Sequence, residues 1–311
     1  MASLIDWHSH HTPPELAEDF IKLTGKAPYA DKYDSPDFAG RIRELDAAGI
    51  DVQLICQGAG NYADRLPAGQ AMEIVRKSND VIAERIAPHR DRLFGVMAVS
   101  LKNIPASIKE MDRVAGKGFR AILLYPKADG QFMLDSPEAE PLFAKISELK
   151  LPIFLHGATA ANDPTLKRLE DEGAGVIYSV IADAAVCEAV VRMIASGLFD
   201  RHPGLKIVIR TGGGGLPLLL HRLFWKHKGP KGEQRYSDIL LEHFWIDTAG
   251  VDARAFRFLI ETLGEDRIVF GSDYCGGLGA LEKALPVIEG QPDPARIKAI
   301  TERNSRNLLR L

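Results

Sequence analysis

The chain has 311 residues, 46% of them hydrophobic and 26% charged, with a formal net charge of -3. That is an ordinary globular composition, long enough to bury a large core. It excludes the basic excess of a nucleic-acid-binding surface and the apolar runs of about 18 residues that suggest a membrane span. Met1 to Asp6 lack a basic segment followed by an apolar stretch, so no secretory signal is expected. Three widely spaced cysteines, Cys56, Cys187 and Cys275, are expected to be reduced thiols in a cytoplasmic protein.

In chain order, a strand is expected at Leu4–His8. Ser35-Pro36 then opens a helix over Asp37–Ala48, a cap followed by proline at the first helical position, and Gly49 stops it. Strands are expected at Val52–Cys56, Leu93–Val99 and Phe119–Leu124. Ser136-Pro137 opens another helix, and a strand follows at Pro152–His156. A helix from about Asp183 to Gly197 precedes a strand at Lys206–Arg210. The helical run Leu216–Phe224, strands at Phe244–Asp247 and Ile268–Gly271, a helix opened by Asp293-Pro294 and a restart at Asn304 complete the chain.

The strands are short and rich in Val, Ile, Leu and Phe, and several are continuously apolar, as in a sheet covered on both faces. Strands alternating with helices imply right-handed crossovers and a parallel sheet. Eight such units over residues 1–311 predict a single-domain (β/α)8 barrel, with a doubly wound open sheet as the competing arrangement.

The chemistry lies where three strands end. The first runs into Asp6-Trp7-His8-Ser9-His10. Residues two apart on a strand share a face, so His8 and His10 can grip one ion, with Asp6 two positions earlier as a partner. His11 is expected to point elsewhere. The fifth strand runs into His156, and the eighth ends in Gly271-Ser272-Asp273-Tyr274. Alone, a histidine closing an apolar strand is more often a core residue, and a lone aspartate after a strand a turn former. Together they fall at the C-terminal ends of strands 1, 5 and 8, where barrel enzymes keep their sites. Three histidines leave coordination positions open, and Asp273 can complete the set or handle a proton.

These motifs resemble the amidohydrolase-related family typified by aminocarboxymuconate-semialdehyde decarboxylase, within the amidohydrolase superfamily. The resemblance runs from Ile5–His10 through Phe154-Leu155-His156, Gly197–Lys206, Gly212–Pro217 with Arg222 beyond, and Asp266–Tyr274, to Asn304–Leu309. It implies one divalent metal, zinc or manganese, held by His8, His10, His156 and Asp273, and a small carboxylate substrate bound through Arg222. It also implies a possible homodimer. Most such enzymes remove CO2 from unsaturated or aromatic acids; others hydrate or hydrolyse related compounds.

One position departs from the family. Its sixth strand ends in an acid–base histidine, and here that place holds Thr211, whose hydroxyl cannot titrate near neutral pH. Asp273 can carry the proton transfer alone; Tyr125, Lys127, Tyr62 and His221 are the other groups that could share it. Lys127 and Thr211 are also expected to contact substrate. Gly212–Gly215 either offer backbone N–H groups to an anion or let backbone approach closely. Asp247 is a possible support for the site, and Cys275, near Asp273, a packed spectator. A carboxy-lyase is therefore expected, with a lactone or amide hydrolase or a hydratase as the alternative, and a non-catalytic binding protein as a third reading that only Thr211 favours.

Overall fold

Hydrophobic alternation sorts the side chains of each strand to two sides, and the structure uses both. The computed structural model describes residues 3–24, 38–57, 63, 66–157, 175–224, 235–276, 281–290 and 292–311. Eight barrel strands follow in chain order: β1 (Ile5–Asp6), β2 (Val52–Gln57), β3 (Leu93–Ala98), β4 (Phe119–Leu124), β5 (Ile153–Leu155), β6 (Ile207–Ile209), β7 (Phe244–Asp247) and β8 (Ile268–Val269). Each pairs in parallel with the next, in sequential order. The ring closes where β8 returns to β1: Trp7 N–H donates to the Phe270 carbonyl at 2.9 Å and His10 N–H to the Tyr274 carbonyl at 2.8 Å. This is the expected (β/α)8 barrel rather than an open sheet.

Leu54, Cys56, Val96, Ala121, Leu123, Phe154, Val208 and Val269 fill the inside of the ring. Their neighbours Ile55, Met97, Ile122, Leu124, Ile153, Ile207, Ile209 and Ile268 face the helices outside. Period-two alternation of this kind is what a barrel with a packed interior requires.

The helices follow the expected chemistry with shifted ends. Asp293 caps the helix Pro294–Lys298, its carboxylate accepting from Ala295 N–H and Arg296 N–H, and the chain then passes through a wider turn at Ala299–Arg303 into Asn304–Leu309. The helix expected to begin near Asp183 starts at Gly175 and runs to Ala195. The helix stopped by Gly49 covers Phe38–Ala47; its proposed cap at Ser35-Pro36 lies outside the described residues, as does Tyr62. Two short features were not anticipated. The first strand breaks after Asp6 and resumes at His10–His11, and a small antiparallel ribbon pairs Lys127–Ala128 with Gln131–Phe132. Among the described residues, no helix is long and apolar enough to cross a membrane.

Candidate metal centre

The break after Asp6 decides what its side chain does. Asp6 meets His8 through the backbone, accepting from its N–H at 3.1 Å. Its carboxylate accepts from Gln53 Nε2 at 2.7 Å, Ser272 N–H at 2.9 Å and Ser272 Oγ at 2.6 Å. It therefore ties β1 to β2 and to the segment after β8, holding the ring shut beneath the site. Beside it, the fully buried Arg41 donates to Ser9 Oγ, Gln53 Oε1 and the His10 carbonyl, which fixes the loop that carries His10.

Above this seam three imidazoles meet. The ring centres of His8, His10 and His156 lie 5.0, 5.3 and 5.1 Å apart, a nearly equilateral triangle of edge-to-face rings. His8 Nε2 is 3.1 Å from His10 Nε2, and Asp273 Oδ1 lies 3.2 Å from the first and 3.0 Å from the second. One ligand atom from each histidine falls within 4.8 Å of the others. Donors about 2.0–2.2 Å from a shared ion sit roughly 3–4 Å apart, so the spacing fits a single metal.

The other ring nitrogens set the tautomers. His8 Nδ1–H donates to Asp247 Oδ2 at 2.8 Å, and His156 Nδ1–H donates to the Gly157 carbonyl at 2.9 Å. His10 Nδ1 lies 3.3 Å from Cys56 Sγ, whose own S–H donates to the Ser9 carbonyl. Each Nδ1 is thus occupied and each Nε2 is turned inward, as in metal-ligating histidines. His156 Nε2 is buried with no hydrogen-bond partner among the described residues, and burial, reinforced by Arg210, holds its pKa well below the ordinary value, so the ring is neutral. Burial opposes a charge on His10, yet Cys56 and Asp273 beside it hold that pKa up at about 10. The pocket calls for a positive charge, and a cation there would take the place of a proton.

The remaining expected residues are placed as follows. Asp247, closing β7, accepts from His8, from Thr211 N–H at 2.6 Å and from Ala249 N–H at 3.0 Å. Thr211 therefore touches the site through its backbone; its Oγ1 is buried without a partner among the described residues. Tyr125 is buried, its ring 5.9 Å from that of His156. Lys127 is half-buried in the ribbon just beyond β4. Arg222 is exposed on the last turn of the helix Leu216–Phe224, and His221 lines a separate outer cavity of about 410 Å3 with Leu218 and Phe258. Cys275 is half-buried and has a left-handed backbone.

The glycine run resolves toward close approach. Thr211 and Gly212–Gly215 all have positive φ, from 52° to 97°. A Cβ on Gly213 would lie 2.5 Å from Ile246, and one on Gly214 3.0 Å from the Asp183 carbonyl. The run thus lets the turn after β6 press against β7 and the helix Gly175–Ala195.

Comparison with known proteins matches a model of the amidohydrolase family to residues 5–311. The chain belongs to this family. It is 31% identical over 250 residues to the gamma-resorcylate decarboxylase of Rhizobium sp. (strain MTP-10005), covering 75% of each chain. It is 25% identical over 279 residues to the 2-amino-3-carboxymuconate-6-semialdehyde decarboxylase of Dictyostelium discoideum, covering 86% of this chain and 73% of the relative. Among solved structures, a dihydroxybenzoic acid decarboxylase from Polaromonas sp. JS666, with bound manganese and the inhibitor 2-nitroresorcinol, superposes with a TM-score of 0.83. It is 23% identical and covers 100% of this chain and 98% of its own.

Two features of this amidohydrolase escaped the sequence reading. Cys56 supports His10, which only the pairing of His10 with Cys56 across adjacent strands reveals. Arg210 stands beside His156. Its signal was available, since it lies two residues past the inward-facing Val208, just beyond the end of β6.

Proposed function

We propose that this amidohydrolase is a metal-dependent carboxy-lyase that removes CO2 from a small aromatic or unsaturated carboxylic acid. The observation that carries the reading is the convergence of three histidine Nε2 lone pairs and the Asp273 carboxylate at one buried point. The decarboxylase activities named for the relatives support the same choice of reaction. His8, His10, His156 and Asp273 would hold one divalent cation, manganese or zinc. When bound, it supplies a Lewis acid that polarises a substrate oxygen.

The chain's own groups do the rest. Asp247 and the Gly157 carbonyl hold two imidazoles in the ligating tautomer. Tyr125, packed near His156, walls the mouth with a flat aromatic face suited to a planar acid. Asp273 takes up a proton from solvent, delivers it to the carbon bearing the carboxylate and returns to its carboxylate form; the bond to that group then breaks, its electron pair returns to the substrate and CO2 leaves. Lys127 and Thr211, near the same rim, are substrate contacts in this reading. A cytoplasmic setting agrees with three unpaired thiols.

Thr211, in the place of the family's histidine, favours a second reading: hydrolysis of a lactone or amide, or hydration, on the same residues. Screening the manganese- and zinc-loaded protein against hydroxylated benzoates and unsaturated dicarboxylates, with CO2 and product measured together, separates the two. CO2 release with a product one carbon shorter supports the carboxy-lyase. Turnover of lactones or amides without gas moves the assignment to the second reading.

A further inference from the structure

The turn after β6 brings a second charged group to the barrel mouth. Arg210 continues the inward face of β6 from Val208, with extended backbone at φ -66° and ψ 160°. Its guanidinium lies across Gly157, the residue that follows His156: a Cβ there would sit 2.5 Å from Nε, 2.6 Å from Nη2 and 2.8 Å from Cζ. Glycine is the one residue that leaves room for this cation. Nη2 donates to Asp183 Oδ1 at 2.9 Å, and the arginine side chain is only 13% exposed. Its Nε–H is buried with no acceptor among the described residues.

A cation at this depth, with one donor engaged and another unanswered, is costly unless an acceptor arrives. The site's expected substrate is an anion.

We propose that Arg210 reads the carboxylate of the substrate, with Asp183 as the positioning residue that holds its guanidinium over Gly157. The proposal rests on the carboxy-lyase reading for the identity of the ligand. It assigns acid recognition to a residue that cannot lose its charge, one position before the place where the family carries a titratable histidine. Arg222, exposed on the outer helix, does not share this location within the described residues.

The test is calorimetric binding to manganese-loaded protein of three acids, 2,6-dihydroxybenzoate, 2-hydroxybenzoate and benzoate, each against its matched compound without the carboxylate, resorcinol, phenol and benzene. Arg210→Gln is expected to lose roughly 10- to 100-fold in affinity for the acids while keeping its metal content and its affinity for the neutral partners. Arg210→Lys should recover part of the loss, since charge is kept and the planar fork is not. Asp183→Asn should give a smaller loss in the same direction.

Equal acid binding by Arg210→Gln and wild type overturns the proposal, as does failure of the wild-type protein to bind any acid. So does a loss confined to thermal stability with the preference for acids intact, which would make Arg210 a staple between β6 and the helix Gly175–Ala195. Wild-type protein that binds acids through Arg210 but releases no CO2 overturns the carboxy-lyase reading and leaves the recognition role standing.

Discussion

Two stretches of the barrel rim work in different ways. Around β1, β5 and β8 the side chains make the candidate metal centre: three imidazoles and a carboxylate converge, and the backbone serves to aim them. Around β6 and β7 the backbone carries much of the load. Thr211 N–H and Ala249 N–H grip Asp247, and a run of left-handed residues lets that turn lie flat against its neighbours. The first stretch is specified by residue type and the second by conformation. Changes of side chain should therefore be felt most in the first, and changes of backbone freedom in the second.

The largest expected effect comes where both kinds of constraint meet. Asp273 has a left-handed backbone, and a Cβ on Gly276 would lie 1.9 Å from its Oδ1. Gly276→Ala must push that carboxylate out of line with His8 and His10. Metal bound after dialysis should fall well below one equivalent, and turnover by more than about 100-fold. Retained metal would show that Asp273 is not needed to hold it.

Next comes the link between the two stretches. Asp247→Asn keeps the shape but weakens the acceptor for His8 Nδ1–H, and should cost about 10- to 100-fold in metal affinity, read by competition with a chelator. An unchanged affinity would separate the β7 stretch from the metal.

A third test concerns a histidine just outside the triad. His11 is buried, and burial, reinforced by Arg41 and Arg85, lowers its pKa from 6.5 to about 3. The unfolded chain then takes up a proton that the folded chain refuses. The stability this group contributes is complete above about pH 6.5 and is lost as pH falls toward 3, at up to about 1.4 kcal/mol per pH unit. Denaturant titrations of metal-free protein should show a shallower acid loss in His11→Phe; parallel pH profiles would contradict this.

The smallest effect probes the backbone stretch alone. Thr211 is β-branched with φ at 52°, and its hydroxyl has no partner among the described residues. Thr211→Gly should raise stability by up to about 1 kcal/mol. Metal affinity should hold, because Asp247 is held by the N–H. A drop in metal affinity would instead give the threonine side chain a part in the site.

The same contrast explains what could be read from the residues. The eight strands and the four ligand candidates were legible because alternation and strand ends are written in residue type: Val208 and Phe154 face inward, Ile207 and Ile153 outward. Asp6 was legible as a neighbour of His8, whose N–H it accepts, but its ties to Gln53 and Ser272 were not, since they come from other strands. The glycines were readable as freedom but not as contact, since which atoms crowd Gly213 depends on Ile246 from another strand. Arg222 stood out by its place in a motif and Arg210 did not, although only the second lies beside His156.

The seam at Asp6 also bears on when the molecule can begin to work. Trp7 Nε1–H donates to Ser305 Oγ across 298 residues of chain, and Asp6 is locked to Ser272 from near the opposite terminus. His8 and His10 thus wait for β8, the last strand of the barrel. A chain cut short before Asp273 would lack one of the four groups proposed to hold an ion.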